Sequence, residues 1–355
     1  MVIKVLVVDD SNVMAMLLTS ILEQQADIEI VGRAEDGRSA IRMAEDLRPD
    51  VITMDVTMPG MNGIDATREI MSTNPIPIIV ISSHVKNNEM EVSFRALDEG
   101  AVAVLEKPDN LQDDVSDDYA DKLIETVRSM ATIKLVRRRS RPRPQESALL
   151  PRAVEDTVAN CELVAIGGST GAPQILHRIL NALPADFPVP VVVVNHMARN
   201  FIFGMADWLA RTSGPLVKVA EDRELLQAGT IYLAPDDVHL MVGRRAGKLI
   251  AVLSNSPPAN LFRPSVTPLM QSVAVTCGEK SVGLILSGMG IDGAEGLLAI
   301  HQAGGQTFVQ NEESCVVFGM PGEAVRIGAA SQFLTPEMIA PRLVRLLRKR
   351  IQAQA

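Results

Sequence analysis

The chain of 355 residues has few cysteines, few aromatic residues and no long apolar run. Its three cysteines, Cys161, Cys277 and Cys315, are widely spaced and outside any CxxC pattern, which argues against a disulfide framework and a zinc site. Apolar stretches such as residues 189–194 are far shorter than the roughly 20 residues that cross a bilayer. No small-residue cleavage site follows a long apolar region near Met1. These absences predict a cytoplasmic protein without a signal peptide or membrane insertion.

An excess of positive charge is also absent. The chain carries 34 Lys and Arg against 43 Asp and Glu, for a net charge of −9, so nucleic acid is a poor partner. The 47% of hydrophobic and 22% of charged residues are typical of a globular protein. One basic cluster lies among prolines and predicts a solvated linker; it contains Lys134, Arg137, Arg138, Arg139, Arg141 and Arg143.

The length predicts two domains, because single cores rarely grow beyond about 250–300 residues. In both halves β-branched runs alternate with helical spacing, which predicts two doubly wound α/β domains, the first parallel and the second mostly parallel and Rossmann-like. We expect these domains at residues 1–130 and 155–350, joined by a basic linker at 131–154. The predicted strands are 4–8, 28–34, 51–54, 78–81 and 101–105 in the first domain, and 163–166, 191–194, 230–233, 249–252, 283–286 and 306–309 in the second.

Acidic residues follow several of the first five strands. Ligands of such a sheet bind beyond the carboxyl ends of its strands, where Asp9-Asp10, Asp55, Ser82-Ser83 and Lys107-Pro108 converge. Carboxylates brought together repel one another unless a hard cation such as Mg²⁺ relieves the repulsion. The alternative for each residue taken alone is a structural one: Asp9-Asp10 caps a helix beginning near Asn12, Asp55 caps a turn, and Lys107-Pro108 ends a strand.

Residues 1 to 130 resemble the receiver domain of two-component response regulators. The matching motifs are Val7-Val8-Asp9-Asp10-Ser11, residues 55–63, Ile81-Ser82-Ser83 and Glu106-Lys107-Pro108. The resemblance implies that Asp55 accepts a phosphoryl group and that Asp10, Asp55 and the Thr57 carbonyl bind Mg²⁺, with Asp9 in support. It also implies that Ser82 is the switch hydroxyl and that Lys107 contacts the phosphoryl group. Receivers usually carry Tyr or Phe in the fifth strand, where this chain has Val104.

The second half offers a serine, a histidine and an aspartate near predicted strand ends. Ser169 lies in Gly167–Gly171, which fits GxSxG, although a tight turn or a phosphate cradle fits as well. Of five histidines, His196 ends a strand at the same sheet edge; His301 would give an α/β-hydrolase order but falls on a helix. Asp292 either orients His196 or caps the next helix. His239 is expected in a polar loop, and His84 and His177 as surface or packing residues.

Residues 160–345 resemble the catalytic domain of the chemotaxis protein-glutamate methylesterases. The motifs are 165–171, Asn195-His196-Met197, Tyr232-Leu233-Ala234-Pro235, Arg263-Pro264-Ser265-Val266, 287–294 and 310–321. The resemblance implies a catalytic triad of Ser169, His196 and Asp292, with the Met289 amide in the oxyanion hole.

The same resemblance implies the partners. They are methylated chemoreceptors as substrate and a chemotaxis histidine kinase as phosphodonor, with the receiver occluding the site until Asp55 is phosphorylated; no cofactor is implied for the ester hydrolysis itself. Some members also deamidate receptor glutamines. This chain departs from the family at Ala198-Arg199-Asn200, Phe262, Thr267 and Asn195, which bears on the substrate.

Two other classes of function stay open on the residues alone. The 167–171 turn could hold a nucleotide, or the chain could be a response regulator that acts only through protein contacts, for instance through its arginine-rich linker. The sequence leaves the oligomeric state open.

Overall fold

The computed structural model describes residues 2–82, 94–108, 117–132, 161–197, 199 and 201–347. The chain divides into two compact units, Met1–Ala148 and Leu149–Ala355. Most of the predicted linker, residues 155–160 and the residues Ser83, His84, Ala198 and Asn200 lie outside the described ranges. Within those ranges, no helix has the length and apolar character needed to cross a membrane.

The first unit contains the predicted five-stranded parallel sheet. The strand order is β2-β1-β3-β4-β5, and every neighbouring pair is parallel. The strands are β1 (Ile3–Val8), β2 (Ile28–Ala34), β3 (Val51–Asp55), β4 (Ile78–Ser82) and β5 (Ala103–Glu106). The helices are α1 (Asn12–Glu23), α2 (Gly37–Leu47), α3 (Gly63–Thr73) and α4 (Asp117–Ala131).

Burial on both faces explains the apolar runs of this sheet. All five residues of β3 are buried, as are the last four of β1, because helices cover both sides of a doubly wound sheet. The N-caps of α1 and α3 are Ser11 and Asn62, whose side chains accept the amide hydrogens of Met14 and Asp65. Asp9 and Asp10 are therefore not the N-cap of α1, contrary to the structural alternative for these two residues.

The second unit is built on a seven-stranded sheet in the order β14-β13-β12-β6-β7-β9-β8, with all neighbours parallel. Its strands are β6 (Leu163–Gly168), β7 (Val191–Asn195), β8 (Leu216–Val219), β9 (Thr230–Leu233), β12 (Ser281–Ile285), β13 (Gln306–Gln310) and β14 (Gln332–Leu334). The helices are α5 (Ala172–Ala182), α6 (Phe201–Ala210), α7 (Val266–Cys277), α8 (Ala294–Gln302), α9 (Met320–Arg326) and α10 (Pro336–Leu346).

Four strands of this unit differ from the sequence prediction. Residues 249–252 belong to a separate antiparallel hairpin, β10 (His239–Arg245) with β11 (Lys248–Ser254), and not to the main sheet. Its two-residue turn, Ala246-Gly247, has positive φ at both positions, which matches the twist of paired strands. The strands β8, β10 and β14 were not predicted. Both β8 and β14 are short edge strands with partly exposed residues, and β10 ends in exposed arginines.

The point at which the strand order reverses determines where each sheet can bind a ligand. In the first sheet β1 lies between β2 and β3, and in the second β6 lies between β12 and β7. The strand order therefore reverses beside β1 and beside β6, and a crevice forms at the carboxyl ends there. The loops that follow β1, β3, β6, β7 and β12 carry the candidate residues.

Candidate functional sites

Three acidic side chains meet at the carboxyl edge of the first sheet. Asp9 and Asp10 follow β1, Asp55 ends β3, and one carboxylate oxygen of each lies within 4.8 Å of the others. Asp9 and Asp55 are buried, whereas Asp10 is exposed. Lys107 places Nζ 2.9 Å from Asp9 Oδ2 and 2.8 Å from Asp55 Oδ2. One lysine therefore faces two buried carboxylates, with a third carboxylate close by.

The pKa of Asp55 is determined mainly by burial of its carboxyl group. Burial raises the pKa of Asp55 to about 6; Lys107 opposes that rise, and the charge of Asp9 adds to it. Burial also works against the charged form of Lys107, but the two carboxylates outweigh it and raise the pKa of the lysine. The cluster offers oxygen ligands and an ionisation cost that a hard divalent cation relieves.

The remaining residues predicted for the acidic site lie at the same sheet edge. Ser82 ends β4, is 2% exposed, and its carbonyl accepts the Lys107 amide hydrogen at 2.8 Å. Thr57 is exposed, and its amide donates to Asp55 Oδ1 at 3.4 Å. The structure thus brings Ser82, Thr57 and Lys107 to the three aspartates.

In the second unit, Ser169 is the first residue after β6. Its amide donates to Ser287 O at 3.0 Å, and its carbonyl accepts the Ala172 amide hydrogen at 3.0 Å. At Gly171 φ is 80°, and a Cβ there would lie 2.5 Å from Val316. The turn is thus closed by its own hydrogen bonds and covered by Val316, which disfavours a phosphate cradle and leaves the serine at the strand tip.

His196 occupies the equivalent position on the next strand. Gly168 pairs with Asn195 between β6 and β7, and the His196 amide donates to Gly168 O at 3.0 Å, so Ser169 and His196 leave adjacent strand ends. The His196 side chain is 6% exposed, and its Nε2 lies 2.8 Å from Asp292 Oδ2. Its buried Nδ1 has no hydrogen-bond partner among the residues that the structure describes. Nδ1 is therefore the ring nitrogen available to accept a proton.

Asp292 is fully buried and accepts hydrogen bonds from the start of α7 and the turn before it. Ser265 Oγ and Thr267 Oγ1 each donate to Oδ1 at 2.7 Å. The Val266 amide donates to Oδ2 at 2.7 Å, and Asn260 Nδ2 to Oδ1 at 3.1 Å. Because α7 has 12 residues and directs its N-terminal amides at the carboxylate, the helix dipole favours the charged form.

These donors determine the ionisation of Asp292. Burial alone would raise the pKa of the Asp292 carboxyl, but the hydrogen bond and charge of His196, with the hydroxyls of Ser265 and Thr267, hold that pKa far below its usual value. Asp292 is therefore a carboxylate at neutral pH and fixes the hydrogen of His196 on Nε2.

The loop between β12 and α8 packs directly on the serine turn. A Cβ at Gly288 would lie 2.9 Å from Ser169 Cβ. The Gly288 carbonyl accepts amide hydrogens from Gly319 at 3.1 Å and Met320 at 2.9 Å. In a planar trans peptide the next N–H points the opposite way, so the Met289 amide hydrogen is directed away from residues 319–320.

Two alternatives from the sequence, Asp292 as a helix cap and His301 as the base, do not match this geometry. The N-cap of α8 is Gly293, without a side-chain cap, so Asp292 is not the cap of that helix. His301 is exposed on α8, and its Nδ1 lies 3.3 Å from Ser331 Oγ.

The prediction that His239 lies in a polar loop is wrong. His239 opens β10 and is 1% exposed. Its Nδ1 accepts the Ser265 amide hydrogen at 3.2 Å, and its Nε2 lies 3.1 Å from Pro257 O, so Nε2 carries the hydrogen. The available sequence signal was the apolar run Leu240-Met241-Val242 directly after His239, which is typical of a strand. His239 thereby holds the backbone of a residue that donates to Asp292.

Sequence reasoning also missed the side chains that surround the acid and the base. Ser265 precedes an apolar helix and looks like an N-cap, yet its hydroxyl donates to Asp292 and makes no cap bond. Phe262 stacks on His196, with 3.8 Å between ring centroids and 8° between planes. Both contacts join segments far apart in the chain, so local sequence patterns do not show them.

The two units define a class of protein: a receiver-type α/β domain with an acidic cluster at its sheet edge, followed by an α/β domain in which Ser169 and a hydrogen-bonded His196–Asp292 pair lie at neighbouring strand ends. Residues 5–115 match the response regulator receiver domain model, and residues 164–343 match the CheB methylesterase model. The chain belongs to the CheB methylesterase family.

Similar proteins cover the whole chain. It is 41% identical over 355 residues to a Methanospirillum hungatei protein named protein-glutamate methylesterase/protein-glutamine glutaminase 2, covering 99% of each chain. A relative from Anaeromyxobacter dehalogenans, named protein-glutamate methylesterase/protein-glutamine glutaminase 3, is 44% identical over 98% of this chain and 100% of its own. The crystal structure of the Thermotoga maritima CheB methylesterase catalytic domain matches with a TM-score of 0.51 and 38% identity, over 52% of this chain and 98% of that one.

Proposed function

We propose that this chain is a protein-glutamate methylesterase, controlled by phosphorylation of Asp55. It hydrolyses γ-methyl esters of glutamates on chemoreceptors in the cytoplasm. The observation that supports the hydrolase activity is the 2.8 Å hydrogen bond between His196 Nε2 and buried Asp292, which leaves Nδ1 without a partner among the described residues, while Ser169 follows the neighbouring strand end. The relatives' names support the reaction and its substrate class.

The first half-reaction forms an acyl-enzyme. Ser169 Oγ attacks the ester carbonyl carbon while His196 Nδ1 takes the hydroxyl proton. The Asp292 carboxylate stabilises the imidazolium that results. As the tetrahedral intermediate collapses, the C–O bond to the methoxy group breaks, and the imidazolium returns the proton so that methanol leaves.

The second half-reaction restores the enzyme. His196 Nδ1 takes a proton from water as the water oxygen attacks the acyl carbon, and Ser169 Oγ leaves with that proton. The product is a glutamate carboxylate. We assign one oxyanion donor to the Met289 amide, since the preceding residue, Gly288, lies against Ser169 and the Met289 amide hydrogen points away from residues 319–320. Removing one such donor typically costs about 10²–10³-fold in kcat.

The same site is suited to deamidation of receptor glutamines. Acyl transfer from an amide forms the same acyl-enzyme and differs only in that the proton from His196 goes to departing ammonia. The relatives carry both activities in their names, which supports this second reaction.

For the receiver, we propose that a carboxylate oxygen of Asp55 attacks the phosphorus of a phosphorylated kinase histidine, so that an O–P bond forms, the P–N bond breaks and the kinase imidazole leaves. Lys107 Nζ, 2.8 Å from Asp55 Oδ2, then neutralises the acyl phosphate, and the Ser82 hydroxyl hydrogen-bonds to it. Mg²⁺ fits this site because three carboxylates crowd one lysine, and Asp10, Asp55 and the Thr57 carbonyl would hold it with Asp9 in support. When bound, the ion offsets the negative charge of the acids and of the phosphoryl oxygens.

The decisive measurement is methanol release from methylated receptor by the full-length protein, with and without a small phosphodonor. We expect a higher rate with the donor, no donor response in Asp55→Ala, and no activity in Ser169→Ala. Full esterase activity in Ser169→Ala would exclude the serine mechanism. Equal rates of methanol release by the wild type with and without the phosphodonor would exclude control by phosphorylation but not the esterase activity.

Two further readouts address the other classes of function. A fluorophosphonate should label Ser169 covalently, whereas nucleotide-dependent thermal stabilisation without labelling would favour a nucleotide-binding domain. Phosphorylation-dependent capture of a partner without methanol release would favour a regulator that acts by contact alone.

A further inference from the structure

An aromatic ring covers one face of the catalytic base. The Phe262 and His196 rings lie 3.8 Å apart between centroids and 8° from parallel, and the His196 side chain is 6% exposed. Building on the proposed function, we propose that Phe262 is a positioning residue for catalysis, which holds the imidazole so that Nδ1 faces Ser169 and stabilises its protonated form.

The imidazole needs this contact because one hydrogen bond does not fix a ring. Nε2 is held by Asp292 at 2.8 Å, while Nδ1 has no partner among the described residues, so the ring can still tilt about the single bond. A parallel ring at van der Waals distance opposes that tilt. Aromatic faces also attract cations, so the stack favours the imidazolium that forms when Ser169 attacks.

Phe262 is itself held by a rigid turn. Ala259 and Phe262 exchange two backbone hydrogen bonds, of 3.1 and 2.9 Å, around Asn260 and Leu261. Both central residues have positive φ, 50° and 70°, as a type I′ turn requires. Asn260 Nδ2 lies 3.1 Å from Asp292 Oδ1, so one turn places the aromatic ring and binds the partner of the imidazole.

Leu261, at the tip of the same turn, supplies a matched control. It is 95% exposed, against 36% for Phe262. A change at Leu261 therefore alters the apolar surface of the turn and leaves the face of the imidazole covered.

The experiment uses the full-length protein and two reagents, a small covalent label and methylated receptor, to separate the chemical step from receptor binding. The first readout is the rate constant of Ser169 labelling by a fluorophosphonate, which is too small to use a receptor-binding surface. The second is kcat and KM for methanol release from methylated receptor. The variants are Phe262→Leu, which keeps the apolar bulk, Phe262→Tyr, which keeps the ring, and Leu261→Ala. Thermal unfolding and circular dichroism check that each variant is folded.

We expect Phe262→Leu to lower both the labelling rate and kcat about tenfold with KM unchanged, since a lost stack and a loosened ring raise the barrier in each reaction. Phe262→Tyr should restore both values to within about twofold, and Leu261→Ala should label at the wild-type rate. Wild-type labelling by Phe262→Leu, or a change in KM alone, would overturn the inference. Absence of labelling and methanol release in the wild type would instead refute the proposed function.

Discussion

Two buried aspartates, one in each domain, show how surroundings determine the use of a carboxyl group. Asp55 and Asp292 both lie beyond the carboxyl ends of parallel strands where strand order reverses, at 5% and 0% exposure. Burial raises the pKa of Asp55 to about 6, whereas hydrogen bonds and the charge of His196 overcome burial and lower the pKa of Asp292.

The difference lies in what faces each group. Asp292 receives hydroxyl and amide hydrogens from Ser265, Val266 and Thr267, besides the imidazole. Asp55 shares one lysine with Asp9 and receives a long hydrogen bond, 3.4 Å, from the Thr57 amide. A carboxylate whose oxygens accept several hydrogen bonds from the protein stays charged and suits a position beside a catalytic base. A carboxylate whose charge is only partly offset by neighbouring groups suits a site that binds a cation and accepts a phosphoryl group.

The largest expected effect comes from removing the permanent charge. Asp292→Asn should lower kcat for methanol release by about 10³–10⁴-fold, because the amide cannot stabilise the imidazolium and reverses the polarity of its bond to Nε2. Steady-state kinetics on methylated receptor measure it.

Asp186→Asn is the control for that change, since Asp186 is an exposed aspartate of the same domain. We expect its kcat to stay within about twofold of wild type. Retention of more than about a tenth of wild-type kcat by Asp292→Asn would show that the buried carboxylate is not part of the catalytic machinery.

The next largest effect is the pH dependence that Asp55 gives to the folding stability of the receiver. Between its ordinary pKa of 3.8 and its raised pKa of about 6, the folded receiver keeps a proton that the unfolded chain releases, so folded stability falls as pH rises through this window. The loss should be on the order of 2–3 kcal/mol at pH 7, without divalent cations. Hydrogen exchange of β1 and β3 amides in the full chain measures it.

Asp55→Asn should remove this pH dependence, because the amide does not titrate. The exposed Asp46→Asn is the matched control and should keep it. A wild-type slope that persists in Asp55→Asn would place the titrating group elsewhere and remove half of the contrast between the two aspartates.

A smaller effect is expected from one hydroxyl that serves Asp292. Ser265→Ala deletes a 2.7 Å donor at a fully buried position, which should raise the pKa of Asp292 and lower kcat about tenfold with little change in KM. Ser256→Ala, at an exposed position shortly before it in the chain, is the control. Unchanged kcat in Ser265→Ala would mean that the other donors suffice.

The smallest effect should come from His239, which holds the Ser265 amide. His239→Asn keeps an acceptor near the Nδ1 position, and His239→Gln keeps a donor near the Nε2 position. Because a neutral hydrogen bond contributes about 0.5–1.5 kcal/mol, we expect His239→Gln to lower kcat about fivefold and His239→Asn about twofold. Equal losses in both variants would indicate a packing role instead.

Much of the fold followed from the sequence because the central strands are buried on both faces. The five predicted strands of the first sheet lie within two residues of their observed bounds. The errors fall where that signal weakens: at the short edge strands β8 and β14, and at β10 and β11, which form a hairpin outside the main sheet.

The candidate site could be predicted from the sequence only in part. Ser169 and His196 stand directly after strong strands, so their convergence followed from strand polarity. The roles of Ser265, His239 and Phe262 did not, because each depends on a contact across a long stretch of chain. As single residues, Ser265 resembles a helix cap, His239 was expected in a polar loop, and Phe262 was a departure from the family that bears on the substrate.

The amino-acid sequence by itself determined the two α/β domains and the strand ends that carry reactive groups, since periodicity and apolar runs are local properties of the chain. Only the tertiary structure decided the ionisation of those groups and which ring nitrogen of His196 meets Asp292. Burial and hydrogen bonding depend on the side chains that folding brings together, and for Asp55 and Asp292 those side chains come from distant segments.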